Sequence, residues 1–196
     1  MARDVFQIAM EGYRLLSCAD GLPDSYERYC QNAAFVDELD RQPEGDHNCF
    51  LAIGTSEVAW PYLVVVVGRI LRWPEQELCP GALVVPETHR LFIGLQERLL
   101  AYDLAAPMRL WEDREDTDRE FWGWSRHGDT VLMAAELELA AWDGYGRKLW
   151  STFVEPPWDY RVECGTVHLT VLDTPVSFSL EHGPSWGGRL PWDVTR

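Results

Sequence analysis

The densest cluster of ionisable side chains is the stretch EDREDTDRE at residues 112–120, which holds six acids and two arginines. Acids at this density form a solvated loop, bind a cation or contact a basic protein. A calcium loop also needs a glycine for its sharp turn, and no glycine follows inside this stretch. We therefore predict no metal here, and we propose as partner-binding candidates five acids of this loop: Glu112, Asp113, Glu115, Asp116 and Asp118.

The histidines and cysteines show no catalytic or metal-binding spacing. Neither H-x₃-H nor H-E-x-x-H occurs among the five histidines, and the five cysteines contain no C-x-x-C pair. Cys49 and His89 could pair from distant segments, but nothing in the sequence selects them. Glycine-rich phosphate loops between a strand and a helix are also missing. We assign no catalytic, metal-binding or cofactor-binding residue, and expect no cofactor.

The ten tryptophans are the more informative residues. Several lie beside proline or glycine in turn-like contexts such as AWPY, FWGW and PPWDY. Exposed aromatic side chains near loops commonly anchor protein partners, and they also stack on sugars. These contexts add four partner-binding candidates: Trp60, Trp122, Trp124 and Trp158.

The net charge limits the kinds of partner. At −15, with 32 acids against 17 bases, the chain repels phosphate groups, which disfavours nucleic acid and anionic membranes and favours a basic protein. The longest apolar run, residues 63–67, ends at Gly68-Arg69 and is too short to span a membrane. The N-terminus has no signal-peptide pattern, and the scattered cysteines fit a reducing compartment. We expect a cytoplasmic protein.

A repeat organises the last two thirds of the chain, in units near residues 83–111, 122–150 and 158–186. The second and third units align without a gap at an offset of 36, which places Trp122 on Trp158. The first and second align at an offset of 40 with one residue fewer in a later turn of the second. Such regular spacing indicates one supersecondary structure written three times.

Each unit alternates short apolar stretches with polar turns. An aromatic residue ends one stretch (Tyr102, Trp142 or Phe178), and a tryptophan closes the unit (Trp111, Trp150 or Trp186). This pattern predicts antiparallel meanders. Residues 134–141, AAELELAA, favour a helix by propensity, but they align with TVLDTPVS, where a proline and β-branched residues oppose one. We predict a hairpin there.

The repeated aromatic-Asp followed by Leu-Trp resembles the blades of β-propellers. The likeness is to the quinoprotein-type (PQQ-like) repeats and, more loosely, to WD40 repeats, and it covers residues 82–188. It implies that the tryptophan closing one blade packs against the next blade. It implies no activity, since most such repeats bind no quinone. The predicted fold class is mainly β, with antiparallel meander sheets forming an incomplete propeller-like array and a small N-terminal helical segment.

The predicted organisation is an N-terminal segment, residues 1–48, packed on a β-repeat body, residues 49–196. The segment carries a helix near 24–41, with apolar residues at steps of three or four and a cap at Asp24 or Ser25. Three units fall short of the four to eight blades of a closed propeller. We therefore expect the array to dimerise with a second copy, to form an open curved sheet, or to be capped by the N-terminal segment. We prefer the last of these alternatives.

Three classes of function remain at this level. A non-enzymatic protein–protein interaction module is favoured, in one form an inhibitor or immunity-type protein that neutralises a basic partner by charge complementarity. A small-molecule or sugar-binding protein is the first alternative. An enzyme, such as a hydrolase without a recognisable motif, is the second alternative. The predicted fold neither favours nor opposes it, because one fold hosts many activities.

Overall fold

The computed structural model describes residues 6–10, 12–18, 21–39, 48–55, 63–68, 81–95, 98–114, 121–186 and 191–192. These parts contain one short helix, α1 (Tyr26–Asn32), and no helix long and apolar enough to cross a membrane. The strands are β1 (Phe6–Met10), β2 (Tyr13–Cys18), β3 (Phe35–Glu38), β4 (Asn48–Thr55), β5 (Leu63–Gly68), β6 (Gly81–Val85), β7 (Arg90–Leu95), β8 (Arg98–Asp103), β9 (Met108–Arg114), β10 (Phe121–His127), β11 (Thr130–Ala135), β12 (Glu138–Asp143), β13 (Lys148–Phe153), β14 (Trp158–Glu163), β15 (Thr166–Val171) and β16 (Thr174–Ser179). The predicted fold class, mainly β with antiparallel meanders, is confirmed.

The chain divides into two compact units, residues 1–113 and 114–196. In the first unit, β2 pairs with β4, so strands from the two predicted segments, residues 1–48 and 49–196, belong to one sheet. This five-stranded sheet has the order β1-β2-β4-β5-β3, and β6 to β9 form a four-stranded meander. Strand β3 pairs in parallel with β5.

The core of the first unit lies between these two sheets. Alternate residues along each strand face it, as the two-residue period of a strand requires. They include Leu51 and Ile53 from β4, and Leu91, Ile93 and Leu100 from β7 and β8, all at most 2% exposed. The helix α1 packs on Phe50 and Ala52, which alternate with those core residues along β4.

The helix predicted over residues 24–41 is shorter than expected. It begins after Ser25 and ends at Asn32, and residues 35–38 form β3. The predicted apolar side is real within the helix, because Tyr26, Tyr29 and Cys30 belong to or pack against the cluster around Phe50. The helix is cut short because pairing of β3 with β5 satisfies the backbone groups that a longer helix would have used.

A polar network holds β3 against the meander of the first unit. The Tyr102 hydroxyl donates to Asp37 Oδ2 at 3.0 Å, and Arg109 lies 3.2 Å from the same oxygen. Arg109 also lies 3.2 Å from Glu112, which accepts from Arg98 at 3.0 Å. Burial of the phenol, together with the Asp37 carboxylate, raises the pKa of Tyr102 above its usual value of 10.0.

The raised pKa predicts an alkaline loss of stability. Because the phenol ionises at higher pH in the folded than in the unfolded chain, its contribution is complete below pH 10 and is lost as the pH rises further. Above pH 10 the folded chain holds up to about one proton more than the unfolded chain at this residue, so the free energy of unfolding falls by up to about 1.4 kcal/mol per pH unit. This part of the slope should be absent in Tyr102→Phe. Urea denaturation between pH 8 and 11 measures this slope. An unchanged slope would contradict the assignment.

The second unit contains a four-stranded meander, β10 to β13, and a three-stranded meander, β14 to β16. Residues 134–141 form a hairpin, with Ala135 of β11 opposite Glu138 of β12, as predicted. The repeat aromatics occupy matching places in the three meanders: Leu91 lies opposite Tyr102, Val131 opposite Trp142, and Val167 opposite Phe178. The sequence repeat is therefore a repeat of strand register.

The residue after each repeat aromatic caps the turn that follows it. Asp103 Oδ1 accepts from the backbone N–H groups of residues 105 and 106, and Asp143 Oδ1 accepts from those of residues 145 and 147. In the third unit Ser179 Oγ accepts from the N–H of His182. The aromatic-Asp motif thus combines a packing residue with a local turn-forming side chain.

Trp150 joins the two sheets of the second unit. Its ring lies edge-on to Phe178 with centroids 5.3 Å apart, and its Nε1 donates to the Leu180 carbonyl at 2.7 Å. The expectation that a closing tryptophan packs on the next sheet therefore holds for Trp150. The core between these sheets includes Leu132, Leu139, Val167 and Leu169.

Candidate functional site

A β-bulge at the start of β10 re-aims one tryptophan. Phe121 lies opposite Ala135 and Gly123 opposite Ala134, so Trp122 is an extra residue between two consecutive pairs. Phe121 and Trp124 contact each other, with ring centroids 5.5 Å apart. Trp122 turns away from both toward the neighbouring sheet and keeps 48% of its surface exposed.

Three aromatic rings stack where β10 meets β14. The indoles of Trp122 and Trp158 are nearly parallel, with centroids 5.0 Å apart and planes 18° apart. Trp158 and Tyr160 follow, with centroids 6.0 Å apart and planes 27° apart. We call Trp122, Trp158 and Tyr160 the aromatic stack. Its outer member, Trp122, is exposed, whereas Trp158 and Tyr160 pack against the core of the unit.

The stack is fixed at two points by hydrogen bonds. Trp158 Nε1 donates to the Glu136 carbonyl, in the turn between β11 and β12, at 2.9 Å. The Tyr160 hydroxyl lies 2.9 Å from Ser125 Oγ, which lies 3.2 Å from His127 Nε2. Trp122 is consequently presented on a support whose rings cannot turn independently. A preorganised aromatic loses little side-chain entropy when a ligand binds.

The structure brings together only some of the predicted partner-binding residues. Trp122 and Trp158 touch, as described above. Trp124 instead packs edge-on against Trp142, with centroids 5.5 Å apart, and is not a member of the stack. Four candidates lie outside the described residues: Trp60, Glu115, Asp116 and Asp118.

The two remaining acidic candidates, Glu112 and Asp113, belong to the first unit. Glu112 is the acceptor shared by Arg98 and Arg109 in the polar network, and its side chain is 18% exposed. It is therefore a structural ion-pair partner. Asp113 is half-buried on β9.

The cysteine–histidine pair considered from the sequence does not form. Cys49 is buried in the core of the first unit, and His89 Nδ1 hydrogen-bonds the Tyr13 hydroxyl at 2.6 Å. Within the described part of the chain, no three His, Cys, Asp or Glu side chains are grouped to hold a metal ion.

Sequence reasoning missed the polar end of the stack, formed by Ser125, His127 and Tyr160. The repeat alignment, at its offset of 36, places Trp124 on Tyr160. The match fails at the preceding aromatic, because Trp122 is the extra residue of a bulge, whereas Trp158 pairs with Val171 as a regular strand residue. The available signal was Gly123 beside Trp122, since a glycine inside a strand pattern often marks a bulge.

The comparisons with known proteins give structural likeness only. No protein-family model and no curated protein sequence matches the chain. It is similar to the crystal structure of the computationally designed Ika4 protein, with a TM-score of 0.44 and 10% identity over 91% of this chain and 92% of that one. It is also similar to BamB from Moraxella catarrhalis, with a TM-score of 0.38 and 12% identity over 91% of this chain and 62% of that one. U3-55K gives a TM-score of 0.43 and 11% identity over 90% and 55%. The chain therefore spans less than two thirds of BamB and of U3-55K.

Proposed function

We propose that this protein is a non-enzymatic protein-interaction module and that the aromatic stack of its second unit is the anchor for the partner. The observation that carries the proposal is Trp122, a large aromatic side chain 48% exposed yet held parallel to Trp158. Tryptophan is among the residues enriched at the energetic centres of interfaces. A bulge that turns a tryptophan outward is a common device for re-aiming a side chain at a site.

Charge supports a basic protein as the partner. The chain has a net charge of −15, and such a field speeds encounter with a positively charged protein and slows it with an acidic one. More specifically, we propose that the protein is an inhibitor or immunity-type protein that binds and blocks a basic partner in the cytoplasm.

The test of this function is capture of a partner from the native cells by the tagged full-length chain. Trp122→Ala should lower the affinity for the captured protein by about 30-fold, the effect of losing an interface residue worth about 2 kcal/mol. The matched control is Tyr145→Ala, which removes another aromatic of the second unit that is 68% exposed. Binding should also weaken as salt rises from 50 to 300 mM. Equal losses in the two variants, or no loss in either, would argue against the aromatic stack as the anchor.

The Ser125–His127–Tyr160 end of the stack favours one second candidate, a sugar-binding site. A sugar ring stacks its apolar face on an aromatic ring and takes hydrogen bonds from neighbouring polar groups. Here the Ser125 and Tyr160 hydroxyls lie 2.9 Å apart beside the rings. A thermal-shift screen with common mono- and disaccharides decides the question, since a sugar bound at 100 times its Kd stabilises by about 2.7 kcal/mol. No shift with any sugar would leave protein binding as the better proposal.

A further inference from the structure

We propose that Trp122 binds an arginine side chain of the partner. This inference rests on the proposed function and names the chemistry of its anchor. It follows from two observations of the second unit: the geometry of the aromatic stack and the distribution of charged side chains around it.

The first observation is the ring geometry. Trp158 occupies one side of the Trp122 indole at a centroid distance of 5.0 Å, while 48% of Trp122 remains open to solvent. Indole is the aromatic ring that attracts cations most strongly through its face. A planar guanidinium can lie flat on such a ring while its N–H groups still donate hydrogen bonds at its edges, which a compact, strongly hydrated ammonium does less well.

The second observation is that the basic side chains of residues 121–186 are already engaged. Over residues 121–186, Arg147 pairs with Asp143, Lys148 with Glu138 and Arg161 with Glu163, and Arg126 donates to the Gly128 carbonyl. Six carboxylates in the same range have no ion pair in the described structure: Asp129, Glu136, Glu155, Asp159, Asp173 and Glu181. The unit therefore has unpaired negative charge and no spare cation within this range.

Three of these six carboxylates belong to residues that bond the stack through the backbone or lie near it in the sequence. Glu136 supplies the carbonyl that accepts from Trp158 Nε1. Asp159 directly follows Trp158, and Glu155 precedes it by three residues. Both of these side chains are exposed. An exposed indole face on a unit with unpaired carboxylates is complementary to a delocalised cation and has little to offer an anion.

The test compares three short peptides that differ only in the side chain offered to Trp122. Acetylated, amidated Gly-X-Gly-X-Gly peptides carry arginine, lysine or the neutral arginine isostere citrulline at X. Binding to the full-length protein is followed at low salt by NMR through the indole N–H of Trp158, which stacks on Trp122, is assigned by its loss in Trp158→Phe, and is retained in Trp122→Ala. We expect the arginine peptide to bind about 3- to 5-fold more tightly than the lysine peptide, the range of an exposed cation–π contact. The citrulline peptide should bind more weakly than both.

Trp122→Ala provides the decisive comparison. The arginine and lysine peptides should then bind equally, since the carboxylates remain and the indole does not, whereas Tyr145→Ala should keep the preference for arginine. A preference that survives Trp122→Ala, no preference in the wild type, or equal binding of citrulline would overturn the inference. These outcomes are separate from the fate of the proposed function, because partner capture that depends on Trp122 without an arginine preference would reject the arginine and retain the interaction module.

Discussion

Gly183→Ala is expected to destabilise the second unit by about 2–5 kcal/mol. A Cβ at this position would lie 2.4 Å from Trp150 Cγ and 2.6 Å from Trp150 Cβ. Trp150 cannot easily move away, because its ring packs on Phe178 and its Nε1 is bonded to the Leu180 carbonyl. Overpacking costs about 1–3 kcal/mol, and a left-handed backbone, here at φ +70, costs about 1–2 kcal/mol for a residue with a side chain.

Gly165→Ala is the matched control for this prediction. Its φ is +74, but nothing lies within 4 Å of the added Cβ. The control therefore carries the backbone cost alone, about 1–2 kcal/mol. Urea denaturation gives the free energies, and hydrogen exchange along β13 and β16 shows which strands lose protection. Equal destabilisation by the two substitutions would contradict the packing of Trp150 against Gly183.

Asp37→Ala is expected to cost about 2–4 kcal/mol in the first unit. The substitution removes the acceptor of the Tyr102 hydroxyl, whose residue is fully buried, and one of the two carboxylates beside Arg109. Leaving such groups without a partner costs about 1–3 kcal/mol for a neutral donor and 3–5 for a fully buried ion pair. The cost of breaking the ion pair is at or below the lower end of its range, because the Arg109 side chain is 34% exposed and not fully buried.

Two further variants separate the network from the loss of a charge. Asp37→Asn keeps an acceptor oxygen for Tyr102 and should lose less stability than Asp37→Ala. Asp129→Ala removes the same charge from an exposed turn, and it should change stability by no more than about 0.5 kcal/mol. Urea denaturation measures all three variants. If Asp37→Ala behaves like Asp129→Ala, then the network does not hold β3.

The features predicted correctly from the sequence are local ones. The aromatic residues fall eleven positions after their cross-strand partners, for example Leu91 and Tyr102, so short hairpins fix the register. The hairpin at residues 134–141 was predictable because alignment with a proline-containing segment outweighed helix propensity. The contact of Trp150 with the next sheet was expected from the resemblance to propeller repeats.

The features that the sequence did not reveal depend on distant pairing. Residues 35–38 look like the continuation of a helix until β5, almost thirty residues later, is available as a parallel partner. Likewise Trp122 and Trp158 seemed to be equivalent repeat positions, whereas the bulge makes them contacts in space. A single inserted residue changes which face a side chain takes, and only the pairing of β10 with β11 shows where it lies.

Photo-crosslinking at position 122 in the native cells tests the central claim, that the aromatic stack is the partner-binding surface, most directly. A benzophenone amino acid, which keeps a large aromatic side chain at the position it occupies, replaces Trp122 in one variant and Tyr145 in the other, so both probes lie on exposed aromatic positions of the second unit. We predict a discrete crosslink to a basic protein from position 122 and none from position 145. Crosslinks of equal yield from both positions, or only from position 145, would contradict the account.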